Sequence, residues 1–472
     1  MRVYILYALV AIFSVYAYRN WFRSLCVLIL LMAVIEHPDM PKSIMGIQGF
    51  NPWNLLLVNV FAGWLISRRR EGLTWDMPRA VGILLLLYIF VVLAGVLRLI
   101  ADPSHLESFS LAQLVSDKLV NSLKWIIPGL LLFDGCRSRT RLALAFTCVL
   151  GVYCLLAVQV IRWMPPSAAV SGAGLEARSR KIIQNEIGYS RVNMSMMLSG
   201  GSWAILATLP LVRRHRYKIL IVAAALGTAY GQALTGGRMG YVTWGAVGLV
   251  LGLLRWRRCL LLVPVVVIAI GVMLPGTVER MFEGFGATDA TGREYTDDFQ
   301  ITAGRTLIWP YVIDEISHSP IVGHGRMAMV RTGLSEYLWN QYHESFPHPH
   351  NAYLEWLLDN GLVGLLCVAP LFIIVLVRAA RLFRDTHNPW YAAIGGASLA
   401  FTLALLIAAV GSQTFYPREG AVGLWCMIGL TLRLSLAREN ALALAPRGIA
   451  LQTPRRVQSL PWTCPAAAPP QR

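Results

Sequence analysis

The chain has 472 residues, of which 56% are hydrophobic and only 14% are charged, and its mean hydropathy is +0.55. Soluble domains average about 25% charged residues, so a water-soluble enzyme, a disordered chain and a small disulfide scaffold are excluded. The net charge of +17 does not indicate nucleic-acid binding, because the basic residues occur in short clusters between apolar stretches. The composition therefore predicts an integral membrane protein.

Apolar stretches follow one another along most of the chain. A transmembrane helix takes ~20 apolar residues, and the sequence offers about 12 or 13 such stretches, since the first two are short. The N-terminal stretch has no small-residue cleavage site before its polar flank, so we expect it to remain as the first helix. The predicted fold is an all-α polytopic membrane protein. The stretches are roughly 3–17, 22–35, 53–67, 80–98, 118–134, 142–162, 195–211, 218–234, 239–254, 259–275, 352–377, 391–412 and 420–436.

Clusters of basic residues between these stretches predict the orientation of the helices. Loops rich in Lys and Arg lie on the cytoplasmic side of a membrane. This rule places the C-terminus inside, and it places the N-terminus inside for 12 helices or outside for 13. The clusters occur at 68–79, 137–141, 213–218, 255–258, 378–384 and 433–456.

The same alternation places four connections on the outer side, of which 276–351 is by far the longest. Loops beyond ~12–15 residues are usually functional. Apolar residues at helical spacing predict a surface helix over 302–316, with Pro310 as a break. The other outer connections are 36–52, 99–117 and 163–194. The predicted division of the chain is N-terminal membrane helices (1–162), central membrane helices (163–275), the long outer loop (276–351), C-terminal membrane helices (352–437) and a disordered cytoplasmic tail (438–472).

A histidine-rich run, Pro-His-Pro-His-Asn-Ala-Tyr-Leu-Glu-Trp at 347–356, lies where the long loop enters a membrane helix. The prolines keep the approach extended, so His350 or Asn351 falls at the helix cap. The positive end of a helix disfavours imidazolium, and a neutral imidazole can serve as a general base. A histidine loop bonded only to water and backbone is the alternative. A zinc site built from His343, His348 and His350 lacks a nearby Cys or spaced carboxylates, so no metal is predicted.

Arginines occur at three further places on the predicted outer side. The turn Thr-Gly-Gly-Arg-Met-Gly at 235–240 starts a helix, and its Arg238 offers a planar fork for phosphate oxygens. Arg191 precedes another membrane helix, and Arg305 lies in the predicted loop helix. The alternatives are an arginine that reaches the lipid headgroups and a solvated helix face. Taken together, arginines and a histidine at one face favour a phosphate-bearing substrate carried by a lipid, such as an isoprenoid diphosphate.

These residues resemble a known family. His350-Asn351, nine residues and then Gly361-Leu-Val-Gly364 is similar to the histidine motif of bacterial O-antigen ligases and the related O-antigen polymerase domain. The turn at 235–240 resembles the family's arginine turn. The segments 304–309 and 319–325 are similar to the loop helix and glycine pair before the histidine motif. The resemblance covers residues 190–435 in detail.

The resemblance implies a membrane glycosyltransferase of the GT-C type, inverting and without a metal or other cofactor. Such an enzyme sits in the bacterial inner membrane with its long loop in the periplasm. It moves a glycan from undecaprenyl diphosphate to a sugar hydroxyl of lipid A-core. His350 would be the general base, with His343 or His348 as the alternatives, and Asn351 would lie beside the substrate. Arg191, Arg238 and Arg305 would bind the diphosphate.

Two other interpretations remain open at this stage. A Wzy-type O-antigen polymerase or a protein O-oligosaccharyltransferase shares the histidine and arginine pattern and differs in its acceptor. A polysaccharide exporter or solute transporter would carry ionisable groups in mid-membrane and symmetric broken helices, whereas the polar groups here gather at one face. Lys124 and Asp359 are exceptions, which we expect to be interfacial or paired.

Overall fold

The protein is described by a computed structural model over residues 2–46, 49–106, 109–282, 302, 305–411 and 414–443. The described part is helical throughout and contains no β-strand, which confirms the all-α prediction. The helices of eight residues or more are α1 (Arg2–Leu31), α2 (Pro52–Arg70), α3 (Arg79–Ala101), α4 (Ile127–Gly135), α5 (Arg139–Trp163), α6 (Gly172–Ile182), α7 (Arg191–Leu206), α8 (His215–Leu234), α9 (Arg238–Leu254), α10 (Val263–Met273), α11 (Pro275–Phe282), α12 (Arg305–His318), α13 (Leu334–Tyr342), α14 (Ala352–Arg384), α15 (Pro389–Ala408) and α16 (Val422–Ala443).

Helices occupy every predicted apolar stretch, but fewer of them can cross a membrane alone than the 12 or 13 expected. Within the described ranges, eight are long and apolar enough, or nine if the pair Arg257–Met273 and Pro275–Phe282, bent by 103°, is one span. The first two stretches, 3–17 and 22–35, lie on either side of Asn20, where non-helical dihedral angles break the backbone of α1. The hydroxyl of Ser24 donates to Phe13 O at 2.9 Å across this break, so the two stretches are separate helical segments that fold back on each other. The stretch 118–134 is divided among short helices, and hydropathy does not reveal that division.

Three helices form the interior of the bundle. The spans Arg191–Leu211, Pro389–Gly411 and Glu419–Leu442 are 72%, 78% and 89% buried, against 22% for Arg2–Leu31. Small residues allow these helices to pack closely against their neighbours. In α15, for example, a Cβ on Gly395 would overlap the backbone of Phe383 in α14. The inner helices therefore have fixed positions, and their ends can hold side chains precisely.

The basic clusters predicted to be cytoplasmic meet at one end of the bundle. Arg433 forms two 2.7 Å bonds with Asp76, while Arg68 and Arg137 each lie 2.8 Å from Asp134. Burial raises the pKa of Asp76, but Arg433 and Arg137 outweigh it and lower the pKa below its ordinary value. This ionic network joins the α2–α3 connection, α4 and α16.

The predicted outer connections meet at the opposite end. Arg98 of α3 donates to the carbonyl oxygens of Val322 and Gly323 at 2.7 and 2.6 Å, and Arg331 lies 2.7 Å from Asp102. The long loop carries short helices as predicted, including α12 and α13. The predicted break at Pro310 is wrong, because α12 continues through it. A proline removes one backbone bond, and burial of the α12 side chains Ile308 and Val312 offsets that loss.

A break in α14 determines how this loop packs. Gly361 has φ +63°, a conformation that favours glycine, and a Cβ there would overlap the carbonyl group of Ile321. The opened backbone receives bonds from the loop, since His324 N donates to Leu358 O at 2.8 Å and Gly325 N to Asp359 O at 2.7 Å. The first half of α14 is thereby fixed to the loop. Helix α16 extends to Ala443, and the remainder of the predicted tail lies outside the described residues.

Candidate active site

Four arginines from separate helices meet at the outer end of the bundle. Arg191 is the first residue of α7 and Arg238 the first of α9. Arg305 lies in the first described turn of α12, and Arg280 lies in α11. Helix starts carry partial positive charge and usually attract acidic residues, so arginines at these positions add to a positive field. We call this group the arginine cluster.

Contacts within the arginine cluster run through one carboxylate. Glu176 Oε1 lies 2.6 Å from Arg280 Nη2 and 3.4 Å from Arg191 Nη1. Burial raises the pKa of Glu176, but Arg280 and Arg191 outweigh it and lower the pKa. Burial, followed by the charges of Arg238 and Arg191, lowers the pKa of Arg305. Among the described residues, the Glu176 carboxylate is thus shared between α7 and α11, through Arg191 and Arg280.

The glycines around Arg238 allow the turn at 235–240 to pack closely against α7. Gly236 has φ +67°, and a Cβ on Gly240 would overlap the hydroxyl of Ser195 in α7. Thr235 closes the end of α8 by donating from its hydroxyl to Gln232 O at 2.7 Å. The turn thus packs directly on α7, which brings Arg238 to the side of the bundle where Arg191 begins its helix.

The histidine run forms a tight loop before α14. Asn351 caps the helix, since its Oδ1 accepts from Tyr353 N at 3.0 Å and Leu354 N at 3.4 Å. His350 has φ +53°, and its ring lies 4.2 Å from that of His348, measured between centroids. Trp309 of α12 donates to Pro349 O at 3.0 Å, which ties this loop to the helix that carries Arg305.

Burial is the main cause that lowers the pKa of both histidines of this pair. Burial, then His348 and Arg305, lowers the pKa of His350 to about 4. Burial, opposed by Glu355, lowers the pKa of His348. Arg305, which contributes to the shift of His350, lies in the helix that Trp309 bonds to this loop. From the positive charge of the helix start, the sequence predicted a neutral imidazole at this cap. The lowered pKa of His350 agrees with that prediction in direction, but its largest cause is burial.

A hydrogen bond distinguishes the two rings. The backbone N–H of His350 donates to Nδ1 of His348 at 3.3 Å. A neutral imidazole whose Nδ1 accepts carries its proton on Nε2, so His348 presents a donor. His343 is separate from the pair: it is exposed and ends α13 in the left-handed conformation. The structure therefore brings together His348, His350 and Asn351 and leaves His343 at the surface.

A cavity of about 650 Å³ opens beside His348, and we call it the chamber. His348 and Pro349 form part of its wall, together with Trp125 and Tyr416. Lys124 lies 4.3 Å from the centre of the Trp125 ring, and Asp359 accepts from the Tyr416 hydroxyl at 2.9 Å, so both are interfacial or paired as predicted. The charged residues that line the chamber are Glu36, Lys42, Asp117, Lys118, Lys124, Arg326, Glu355, Asp359, Arg418 and Glu419.

The sequence did not single out Arg280 or Glu176. Each lies on a predicted outer connection, and their pairing depends on the packing of α6 against α11, where Gly172 N donates to Glu279 Oε2 at 2.9 Å. In the described ranges no three His, Cys, Asp or Glu side chains are grouped to hold a metal ion.

Comparison with known proteins finds a family match for part of the chain. Residues 222–369 match the model of a family described as O-antigen ligase, which confirms the predicted resemblance for that region. The match contains Arg238, Arg280, Arg305 and His350, and it ends just beyond the break at Gly361. A search of curated proteins finds no match.

Proposed function

From the O-antigen ligase region at residues 222–369, we propose that this chain is a glycosyltransferase of the bacterial inner membrane. It moves a glycan from undecaprenyl diphosphate to a sugar hydroxyl of lipid A-core on the periplasmic side. One observation carries the proposal: the half-buried imidazole of His350, whose pKa burial, His348 and Arg305 lower to about 4, belongs to a loop that Trp309 bonds to the helix of Arg305, a member of the arginine cluster. A base beside an anion site is what transfer from a diphosphate requires.

The proposed reaction is a displacement at the anomeric carbon. His350 takes the proton of the acceptor hydroxyl while the oxygen of that hydroxyl forms a bond to the anomeric carbon. The bond from the anomeric carbon to the diphosphate oxygen breaks, and its electron pair stays on the diphosphate. Attack opposite to the leaving group inverts the configuration. Arg191, Arg238, Arg280 and Arg305 stabilise the charge that accumulates on the leaving diphosphate.

We assign the base to His350 and a supporting contact to His348. Because Nδ1 of His348 accepts from the backbone, its Nε2 proton can donate to a substrate oxygen. Asn351 supports the site indirectly, since its side chain caps α14. His343 receives no role in catalysis, as it is exposed on the far end of α13.

The membrane orientation follows from the two ends of the bundle. The network of Arg68, Arg137 and Arg433 lies at the end with the basic connections, which the positive-inside rule assigns to the cytoplasm. The arginine cluster and the histidine pair belong to the connections that alternate with the basic ones along the chain. We therefore place them on the other side of the membrane, in the periplasm. Cytosolic nucleotide sugars do not reach that face, so a lipid carrier supplies the glycan.

The acceptor separates the ligase from a polymerase or a protein O-oligosaccharyltransferase. The test is transfer by the purified chain in liposomes that contain undecaprenyl-diphosphate glycan. Lipid A-core, a second lipid-linked glycan or a serine-rich peptide is supplied as acceptor, with chelator present. Transfer to lipid A-core supports the ligase, and transfer only to one of the others overturns that assignment.

The same assay tests the assigned residues. We expect His350→Ala to lower transfer by about 10²–10⁴-fold, the usual contribution of a general base, and Arg238→Ala to abolish it. Both variants should insert into the membrane normally. His387→Ala is the matched control, because this histidine is 93% exposed at the other end of α14. Transfer by either site variant at the control's rate would contradict the assignment.

A further inference from the structure

A turn of the long outer loop carries two exposed apolar side chains at its tip. Residues 319–323, Ser-Pro-Ile-Val-Gly, connect α12 to the segment that bonds to the opened backbone of α14. Ile321 is 64% exposed and Val322 is 53% exposed, although both residue types are usually buried. Single exposed apolar residues are common on protein surfaces, whereas a contiguous group marks a contact surface. We call residues 319–323 the apolar turn.

The apolar turn lies at the outer end of two exposed apolar stripes. Helices α3 and α14 pack against each other, and each is long and apolar enough to cross a membrane. Their exposed apolar residues recur at helical spacing, as expected for faces that contact lipid. The stripes consist of Ile83, Leu86, Phe90 and Leu97 in α3 and of Leu362, Val363, Leu366, Ile373 and Val377 in α14. The turn therefore extends an apolar surface that both helices present along their length.

The lengths of these helices place the apolar turn at the edge of the hydrocarbon layer. Helix α3 has 18 residues without a charge between Arg79 and Arg98, and α14 has 16 between Gly361 and Arg378. At 1.5 Å per residue these stretches span ~27 and ~24 Å, slightly less than the ~30 Å thickness of a bilayer core. Neither helix has length to spare, so the outer ends of both stretches, at positions 97 and 362, lie at the outer boundary of the hydrocarbon.

Hydrogen bonds to both helices hold the apolar turn at this depth. Every carbonyl oxygen of residues 319–323 accepts a hydrogen bond. The bonds run from Gly323 N to Ser319 O (2.9 Å), Leu362 N to Pro320 O (2.9 Å), Val363 N to Ile321 O (3.0 Å), Arg98 Nη1 to Val322 O (2.7 Å) and Arg98 Nη2 to Gly323 O (2.6 Å). Non-helical backbone can enter lipid only when the protein itself satisfies its polar groups. The carbonyl groups of the turn meet this requirement, and Pro320 has no N–H group to satisfy.

We propose that the apolar turn inserts Ile321 and Val322 among the acyl chains at the outer edge of the bilayer and anchors the long loop to the membrane. The occupant is lipid, because the turn continues the apolar stripes of α3 and α14 at the depth where the hydrocarbon begins. Helix α12, which carries Arg305, ends at His318 directly before the turn, so the anchor sets the distance of α12 from the membrane surface. This contact does not depend on the reaction assigned to the chain.

The first test measures the depth of the turn with a spin label in the full-length chain in nanodiscs. Labels are attached at Ile321→Cys, at Leu366→Cys in the α14 stripe and at Glu344→Cys, an exposed position of the same loop, with the native cysteines replaced by Ala. Collisions are measured with oxygen, which concentrates in lipid, and with a water-soluble nickel complex. We expect the label at 321 to resemble that at 366 and to favour oxygen, whereas the label at 344 favours nickel.

Two results of this measurement would overturn the proposal. A label at 321 that favours nickel, as at 344, would place the turn in water. A label at 321 that neither reagent reaches would show that protein covers the turn, such as a second copy of this chain.

The second test keeps the native cysteines. Ile321→Asp places a carboxylate at the lipid boundary, and Gln341→Asp adds the same charge at an exposed position of α13 as the control. We expect Ile321→Asp to lower the unfolding temperature in nanodiscs by about 2–4 °C and the control to leave it unchanged. Ile321→Trp should retain the temperature of the unmodified chain, because tryptophan is favoured at membrane interfaces. If Ile321→Asp unfolds at the temperature of the control, the turn does not contact lipid.

Discussion

The two polar regions near the histidine loop, the arginine cluster and the chamber, differ in construction. The arginine cluster is carried by helices, with Arg191 and Arg238 at the first positions of α7 and α9. The chamber is lined mainly by connections and short helices, at 35–51, 116–125 and 414–419. Side chains on packed helices are placed more precisely than those on loops. A fixed site suits a diphosphate that is the same in every reaction, and an adaptable wall suits a glycan of variable structure.

Replacing Gly361 by Val should damage both regions at once, and this is the largest effect we expect. Valine cannot adopt φ +63° without strain, and its Cβ would overlap the Ile321 carbonyl. The loop that carries Arg305 and the half-helix that carries Glu355 would both shift. We expect a loss of stability of at least ~2 kcal/mol and weaker binding of undecaprenyl diphosphate and of core oligosaccharide released from lipopolysaccharide, seen in thermal unfolding and in equilibrium binding to the chain in nanodiscs.

Gly245 supplies the control for this variant. It lies within α9, and a Cβ there meets no atom within 4 Å. Gly245→Ala should stabilise the helix by about 0.5–1 kcal/mol. If Gly361→Val unfolds at the temperature of the unmodified chain, the break in α14 does not position the site.

Replacing Arg280 by Gln should affect the arginine cluster alone. The change removes the 2.6 Å contact with Glu176 and one of the four positive charges, and loss of a charge-assisted bond costs about 1.5–3 kcal/mol. We expect the Kd of undecaprenyl diphosphate to rise by about 10–100-fold and that of the core oligosaccharide to stay unchanged. Arg178→Gln, at an exposed position of the same helix α6 that carries Glu176, is the control. An equal rise in the Kd of undecaprenyl diphosphate and of the core oligosaccharide would contradict the division into the arginine cluster and the chamber.

Local sequence predicted the parts of this site that have short-range causes. The cap at Asn351, the neutral His350 and the glycine turn before Arg238 depend on neighbouring residues, and their patterns are visible in a single chain. The ion pair of Glu176 with Arg280 and the chamber around Arg326 depend on packing between distant segments, which periodicity does not report. The division of the stretch 118–134 into short helices has a related reason, since it occurs without a change in hydropathy.

The pH dependence of transfer gives the finest test, because it measures how far the arginine cluster acts on the base. A general base works when deprotonated, so activity is lost as the pH falls through its pKa. Burial, His348 and Arg305 lower the pKa of His350 to about 4, against about 6.5 for an ordinary histidine. We expect the acid limb of kcat/KM, which reports the free enzyme, to lie near pH 4.

Bound diphosphate should move this limb in the opposite direction. Its negative charge favours imidazolium, so the acid limb of kcat, which reports the enzyme with substrate bound, should lie at higher pH than that of kcat/KM. Arg305→Gln removes a positive neighbour of His350 and should shift the limb of kcat/KM upward, whereas Lys42→Gln, on the far wall of the chamber, should not shift it. A limb that stays near pH 6.5 in all these proteins would show that His350 is not the base and that the arginine cluster has no influence on the group that is.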